Sequence, residues 1–209
     1  MRLTLLLAVL AAAAYGETWK FDNLQSIGGH TVKVMGNPKV IDTPKGKAIE
    51  FDGVDDAIFL EVHPLAGATT FTWEAIFRPD KGGKAEQRIF HLQENGSETR
   101  MLFETRLVGD QWYLDAFVRS DAGNQALMEK TKLHPLGEWY AIAAVYDGKE
   151  LSSYVNGVLQ MKAALKFAPE KPGRTSVGVR INLKDYFKGA FREARMTKKA
   201  LKPSQFLKP

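Results

Sequence analysis

Apolar and polar residues alternate along most of this chain, in short runs rich in Phe, Val, Ile, Tyr and Trp. A period of two is typical of β-strands with one buried face, and the Gly, Pro, Asn and Asp clusters between the runs are typical of turns. Apart from a single turn at 203–207, no segment has a convincing helical pattern. The alternation predicts strands at 32–35, 48–51, 57–62, 70–78, 88–92, 100–106, 112–119, 139–146, 151–155, 175–181 and 188–196.

Many short strands without helices between them indicate antiparallel sheets packed face to face. Residues 17–209 are predicted to form one domain, because all-β folds often reach roughly 200 residues in a single unit. The chain shows no internal repeat and no low-complexity linker, and 44% of its residues are hydrophobic. Packing alone therefore suffices to stabilise such a domain.

The segment 1–16 has the features of a secretory signal peptide. Arg2 is followed by an apolar run from Leu5 to Ala14, and small residues stand at Ala14 and Gly16. This order fits the charged, hydrophobic and cleavage regions of a signal peptide, whereas a membrane anchor needs about 20 apolar residues. We expect a secreted protein, extracellular or periplasmic, that has no membrane span.

Composition narrows the chemistry further. The absence of cysteine excludes disulfides, thiolate metal sites and a cysteine nucleophile, and in a secreted protein it favours a bacterial source. The formal net charge is +5, and the segment 184–208 holds eight basic residues against two acidic ones. That segment is either a surface for an anionic partner or simply a solvated chain end. No nucleic-acid partner is predicted.

Three stretches, in order along the chain, resemble the laminin G-like jelly-roll family of the concanavalin A-like superfamily. They are AIEFDGVDD at 48–56 with FTWEA at 71–75, GEWY at 137–140 with AVYDG at 144–148 and YVNG at 154–157, and FKGAFREAR at 187–195 with KAL at 199–201. The Asp-Gly and Asn-Gly pairs in the second stretch are dipeptides that tight hairpins favour. The resemblance implies an all-β, two-sheet antiparallel jelly-roll sandwich with a lectin-like concave sheet that binds glycans.

Some members of that family hold calcium, and here Asp52, Asp55 and Asp56 are the candidate ligands. Carboxylates in such a turn are also ordinary turn formers. Arg192 stands where the closing strand of the family usually has an acidic residue, and a guanidinium adds repulsion near any cation. No cofactor or metal is therefore predicted, with calcium as the alternative.

The outward face of three strands carries a repeated pattern of one carboxylate and one arginine. Within 70–78, 100–106 and 112–119 these residues alternate with the apolar positions, so they lie on the opposite face of each strand. We expect them to converge on one exposed sheet face and to bind a ligand there, with stacking by Trp112, Tyr113 and Phe117. The alternative is that they form stabilising cross-strand ion pairs. The six residues are Glu74, Arg78, Glu104, Arg106, Asp115 and Arg119.

No catalytic residues are predicted. Laminarinase-type members of the superfamily carry their acids as E-x-D-x-x-E on one strand, but here Ile76 and Arg106 occupy the positions two after Glu74 and Glu104. The sequence also lacks a HExxH motif, a phosphate-binding loop and a G-x-S-x-G elbow. A lytic site assembled from Glu104, Asp115 and Glu74 on different strands stays open as an alternative.

The function predicted from these features is a secreted, non-catalytic module that binds extracellular or cell-surface carbohydrate. One alternative is a glycan hydrolase or lyase of the same superfamily. Another is a domain that binds an extracellular protein, or a structural domain without a small ligand. The alternation also predicts that Trp73 and Trp139 are buried, with Ala141, Ala143 and Val145 on the same core face as Trp139.

We expect the exported protein to begin at Glu17, because Gly16 and Ala14 place small residues at both cleavage positions. N-terminal sequencing of the secreted protein measures this directly. A start more than about two residues away would contradict the assignment.

Overall fold

Eighteen β-strands and one 3₁₀ turn (Pro203–Gln205) make up residues 16–209, the part of the chain that this computed structural model describes. The strands are β1 (Glu17–Lys20), β2 (Ser26–Ile27), β3 (His30–Thr31), β4 (Lys33–Met35), β5 (Lys39–Thr43), β6 (Gly46–Asp52), β7 (Ala57–Leu60), β8 (Phe71–Pro79), β9 (Glu86–Glu94), β10 (Arg100–Val108), β11 (Gln111–Ser120), β12 (Gly123–Met128), β13 (His134–Pro135), β14 (Tyr140–Tyr146), β15 (Glu150–Val155), β16 (Val158–Ala164), β17 (Gly173–Val177) and β18 (Lys188–Thr197). The predicted signal peptide, except Gly16, lies outside the described residues. Among the residues described, no helix has the length and apolar character needed to cross a membrane.

The strands form two large antiparallel sheets and one short ribbon, β2 with β3. Sheet 1 has the order β16-β15-β14-β8-β18-β6-β5, and β1 also pairs with β18. Sheet 2 has the order β12-β11-β10-β9-β17-β7-β4, and β13 also pairs with β11. Strands distant in sequence, such as β8 and β18, are direct neighbours, as jelly-roll connections require. The predicted all-β sandwich is confirmed.

Aromatic side chains from both sheets fill the core. Trp73 of β8 stacks on Phe103 of β10, with ring centroids 3.9 Å apart, and Phe90 of β9 meets the same indole edge-on at 5.0 Å. Phe77 and Trp112 make a second edge-on pair across the sheets at 5.1 Å. All five side chains are fully buried, and such pairs add about 0.5–1.5 kcal/mol each beyond the apolar area they bury.

Seven of the strands are not predicted by the alternation. Three of them, β2, β3 and β13, have only two residues each, too few to show a period of two. The other four share one property. Strands β5, β12 and β16 are the outermost strands of their sheets, and β1 pairs with β18 alone. Such strands bury little of their surface, so they need no regular apolar face. One predicted strand is too long, because β17 ends at Val177 and Gly178 adopts a φ of 87°, a conformation that glycine tolerates.

The prediction that Trp139 is buried is wrong. Its side chain is only half-buried, and it precedes β14. The predicted core face is also reversed, because Ala143 and Val145 pack outside the sandwich against Phe206 of the C-terminal segment, and Ala141 shares their face. Both faces of β14 are thus covered, so its sequence contains no polar residue that marks an outward side. The residues of β14 that enter the main core are Tyr140, Ile142, Ala144 and Tyr146.

We expect Trp73→Ala to lower the free energy of unfolding by roughly 3–5 kcal/mol, the usual cost of deleting a buried aromatic side chain. Trp139→Ala is the matched control and should cost clearly less, because that indole is partly in solvent. Chemical denaturation of both variants measures the difference. Equal losses would contradict the placement of the two tryptophans.

Candidate functional site

The six residues predicted to share one face lie on two opposite surfaces. Glu74 and Arg78 are on the outer face of sheet 1, because β8 lies between β14 and β18. The remaining four are on the outer face of sheet 2, because β10 and β11 are neighbours there. The expectation of a single converging patch is therefore wrong for Glu74 and Arg78.

Both sheet 1 residues are held in ion pairs. Glu74 is 1% exposed, accepts from Arg195 Nε at 2.6 Å and from the main-chain nitrogen of Leu207 at 2.7 Å, and is covered by the C-terminal segment. Burial raises the pKa of its carboxyl despite the Arg195 partner. Arg78 donates to both carboxylate oxygens of Asp80, each at 2.8 Å. These contacts agree with the ion-pair interpretation of the pattern.

On sheet 2, three of the four predicted residues, Glu104, Arg106 and Asp115, form part of an ion network. Arg106 Nη2 donates to Glu104 Oε2 at 2.8 Å and to Asp115 Oδ2 at 2.7 Å. Arg88 Nη1 lies 2.5 Å from Glu104 Oε2. The acidic network, as we name it, consists of Glu86, Arg88, Glu104, Arg106, Asp115 and Asp185.

The acidic network has four carboxylates and two guanidinium groups, so its charges do not balance. Glu104 is 4% exposed and faces Asp115 directly across the strands. Burial, and then the neighbouring Asp115 carboxylate, raise the pKa of Glu104 to about 7. A proton on Glu104 therefore relieves the excess negative charge near neutral pH.

The positions of these carboxylates test the lytic site that the sequence left open. A lytic site made of Glu104, Asp115 and Glu74 is contradicted, because Glu74 lies on the opposite sheet. Glu104 and Asp115 share the Nη2 donor of Arg106 and are almost completely buried. The arrangement stabilises the sheet and leaves little room for a substrate beside either acid.

Beyond the acidic network, the same face carries a row of arginines that crosses four strands. Arg119 of β11 stands opposite Arg100 of β10, Arg100 stands opposite Gln93 of β9, and Gln93 stands opposite Arg174 of β17. Arg119 is four positions after Asp115 on β11, which places the two rows about 13 Å apart. Burial, and then the positive charge of Arg180 in the loop after β17, lower the pKa of Arg100. We call Arg100, Arg119, Arg174 and Arg180 the arginine cluster.

The arginine cluster is poorly neutralised. Within residues 16–209, Glu98 is the one acidic side chain that forms an ion pair with any of its members, through Arg100 at 3.2 Å. The Arg100 guanidinium lies 4.9 Å from the ring centroid of the half-buried Phe117, a cation–π geometry. Of the predicted stacking residues, Tyr113 is nearly buried and Trp112 points into the core, so the prediction for Trp112 is wrong.

Beneath these arginines lies His91, which is fully buried. Its Nδ1 accepts from the main-chain nitrogen of Ile181 at 3.0 Å, so a neutral ring carries its proton on Nε2. Burial, followed by the charges of Arg180 and Arg100, lowers the pKa of His91 to about 2. Of the eight buried side-chain nitrogens that find no acceptor in the described part of the chain, three lie at this site, namely His91 Nε2, Arg100 Nε and Arg180 Nε. Sequence reasoning did not single out Arg100, Arg174 or Arg180, because the topology alone brings them beside Arg119.

The candidate calcium ligands form a turn that its own amides satisfy. Single oxygens of Asp52, Asp55 and Asp56 all lie within 4.8 Å of one another. Asp52 Oδ1 accepts from the main-chain nitrogens of residues 54 to 56, and the two Asp56 oxygens accept from those of Asn37 and Asp52. Calcium takes about 6–8 oxygen ligands, and three of the six carboxylate oxygens here already accept main-chain hydrogen bonds. The turn therefore needs no ion to hold its shape.

A sequence profile of the concanavalin A-like lectin/glucanases superfamily, of the laminin G type, matches residues 52–205. The chain belongs to this superfamily. The predicted family is thus confirmed over about three quarters of the chain. No curated protein matches this laminin G-like sequence closely enough to add a nearer relative.

Solved structures agree with the fold of the superfamily. Domain 4 of AbnA, an extracellular arabinanase from Geobacillus stearothermophilus solved with arabinotriose, is 18% identical with a TM-score of 0.63, covering 91% of this chain and 95% of that one. A pentraxin from Limulus polyphemus is 18% identical with a TM-score of 0.59, covering 76% and 78%. Botulinum neurotoxin type C, described as entering cells through two ganglioside molecules, is 9% identical with a TM-score of 0.64, covering 94% and 51%. At such identities the likeness is one of fold.

The raised pKa of Glu104 predicts how stability depends on pH. Between the ordinary carboxyl value of 4.5 and about 7, the folded protein holds a proton that the unfolded chain releases. The free energy of unfolding should therefore fall as the pH rises through this window. Glu104→Gln removes that titration, so its stability should change less between about pH 5 and about pH 8.

Glu86→Gln is the matched control within the acidic network. Partial burial alone would raise the pKa of Glu86, but the Arg106 charge outweighs it and lowers the value below 4.5. Glu86 therefore titrates below this window, and the variant should keep most of the slope of the parent protein, because the Glu86 charge raises the pKa of Glu104 less than burial and Asp115 do. Denaturation midpoints at the two pH values measure both effects. An unchanged slope in Glu104→Gln would contradict the assignment.

Proposed function

We propose that the protein is a secreted, non-catalytic module that binds carbohydrate at the arginine cluster on the outer face of sheet 2. The observation that carries the proposal is a group of four arginines with one acidic partner, set beside Phe117 and above the buried His91. Secretion is proposed from the segment 1–16.

The chemistry of the arginine cluster suits a sugar. Guanidinium groups present several donors in fixed directions and bind hydroxyl or carboxylate oxygens in pairs. Phe117 is half-buried, and its ring offers apolar surface on which the face of a sugar ring can pack. The other contacts of a carbohydrate are mostly polar. Arg119 and Arg174 are exposed, so a sugar oxygen can reach the guanidinium groups of both.

The structural neighbours support carbohydrate as the ligand class. The AbnA domain was solved with arabinotriose, and neurotoxin type C is described as depending on two gangliosides. Binding rather than catalysis also agrees with the state of Glu104 and Asp115, because both carboxylates are buried and bonded to Arg106. An acidic protein surface is the competing partner for the same arginines, and the experiment below separates the two.

We expect Arg119→Gln and Arg174→Gln each to weaken binding to a retained glycan at least about tenfold, or about 1.4 kcal/mol. Both side chains are exposed and have no acidic partner among the described residues, so the thermal midpoint should stay unchanged. A glycan array of the exported protein, with and without calcium, identifies the probe, and affinity electrophoresis measures the weakening.

Two further variants serve as controls. Lys162→Gln removes an exposed cation of sheet 1 and should leave binding unaltered. Arg106→Ala should instead lower the thermal midpoint, since it leaves buried Glu104 and Asp115 without their shared donor. Release of reducing ends from the glycan would overturn the non-catalytic assignment. Binding that survives both arginine substitutions, or retention by acidic proteins alone, would overturn the site.

A further inference from the structure

The outer face of sheet 1 carries the one tryptophan of this chain that reaches solvent. Trp19, Trp73 and Trp112 are all fully buried, whereas Trp139 is half-buried. The guanidinium of Arg192 lies 5.1 Å from the Trp139 ring centroid, and that of Arg78 lies 5.6 Å away. The indole is thus in contact with two cations.

Arg192 reaches this position through a β-bulge. In β18, Phe191 pairs with Phe77 of β8, but Glu193 pairs with Ile76, the preceding residue of β8, so Arg192 is the extra residue. At the same point β18 exchanges its neighbour β6 for β1. A bulge redirects the side chain of the inserted residue. Arg192, which stands where the family usually has an acidic residue, is therefore also the residue that interrupts the regular pairing of β18.

The side chain of Arg192 is buried without an ionic partner. The residue is 7% exposed, and its guanidinium makes no ion pair or hydrogen bond with any described residue. The Glu193 carboxylate that follows it bonds to Lys20 instead. Burial lowers the pKa of Arg192. The cation–π contact with Trp139 offsets only about 0.5–2 kcal/mol of the cost of burying this side chain.

Arg192 and Trp139 line a cavity of about 290 Å³ together with Pro44, Lys45 and Pro209. Its walls hold two cations, one indole and two proline rings, and no carboxylate side chain. Lys45 Nζ contacts the main-chain oxygen of Pro209, so Arg192 supplies the unengaged charge. The volume is just below the roughly 300–1,000 Å³ that ligand pockets occupy, which suits a single ring.

We infer that this cavity is a second binding site, for a small ring compound that carries a carboxylate, such as a uronic acid unit. The planar guanidinium of Arg192 would receive the carboxylate through two parallel hydrogen bonds. The face of Trp139 would pack against the ring. The site is on the opposite sheet from the arginine cluster, so it does not depend on the function proposed there.

Tryptophan fluorescence tests the inference, because Trp139 is the indole that an aqueous quencher can reach. Iodide should quench it, and saturating glucuronate should protect it, while glucose, which lacks the carboxylate, should not. Arg192→Gln should weaken glucuronate binding at least tenfold, measured both by this protection and by calorimetry. Arg192→Lys keeps the charge but loses the paired donors, so it should also weaken binding.

Control variants separate this site from the arginine cluster and from a folding defect. Arg119→Gln should leave glucuronate protection unchanged, and Trp139→Phe should abolish the quenchable emission while retaining the thermal midpoint. If Arg192→Gln unfolds, the comparison of Arg192→Lys with the parent decides. Absence of protection by glucuronate would overturn the inference. Equal protection by glucose, or by inorganic sulfate, would overturn the assignment of a carboxylate-bearing ring.

Discussion

The stack of Trp73 on Phe103 joins the two sheets, and the placement of the polar groups depends on it. Each ring belongs to a different sheet, and burying both occupies one face of β8 and one face of β10. Because side chains alternate along a strand, the other face of each strand must point outward. The two outward faces lie on opposite surfaces of the sandwich. The similar charge patterns on β8 and β10 therefore lie on opposite surfaces and contact different residues.

The charged residues divide into those that the fold explains and those that it does not. Glu74 with Arg195, and Arg106 with Glu104 and Asp115, are buried and paired, as charges removed from water must be. The arginine cluster and Arg192 are different, because they carry positive charge that the described residues barely neutralise. A buried or clustered cation without a partner needs an explanation beyond stability, and a ligand with acceptor oxygens supplies one.

The C-terminal segment determines which surface is open. Phe206 packs on Ala143 and Val145, and the main-chain nitrogen of Leu207 bonds to Glu74, so much of the outer face of sheet 1 is covered. The small cavity beside Trp139 lies on this same face. On sheet 2 the loop after β17 covers His91 through the main-chain nitrogen of Ile181, but Arg119 and Arg174 are exposed. The two proposed sites thus differ in size, with an extended row on one surface and a ring-sized cavity on the other.

The sequence by itself determined the fold class, the superfamily and the inward or outward parity of β8, β10 and β11. Those features follow from a local period of two and from short motifs, which need no knowledge of neighbouring strands. The sequence pattern predicted the wrong core face for β14. The C-terminal segment covers the outward face of this strand, so the strand has no polar positions that mark an outward side. Only the tertiary structure decided that Glu74 and Glu104 lie on opposite surfaces, that Arg100, Arg119 and Arg174 form one row, and that a bulge brings Arg192 to Trp139. Strand neighbours and bulges result from pairing between distant segments, and a local pattern carries no information about which segments pair.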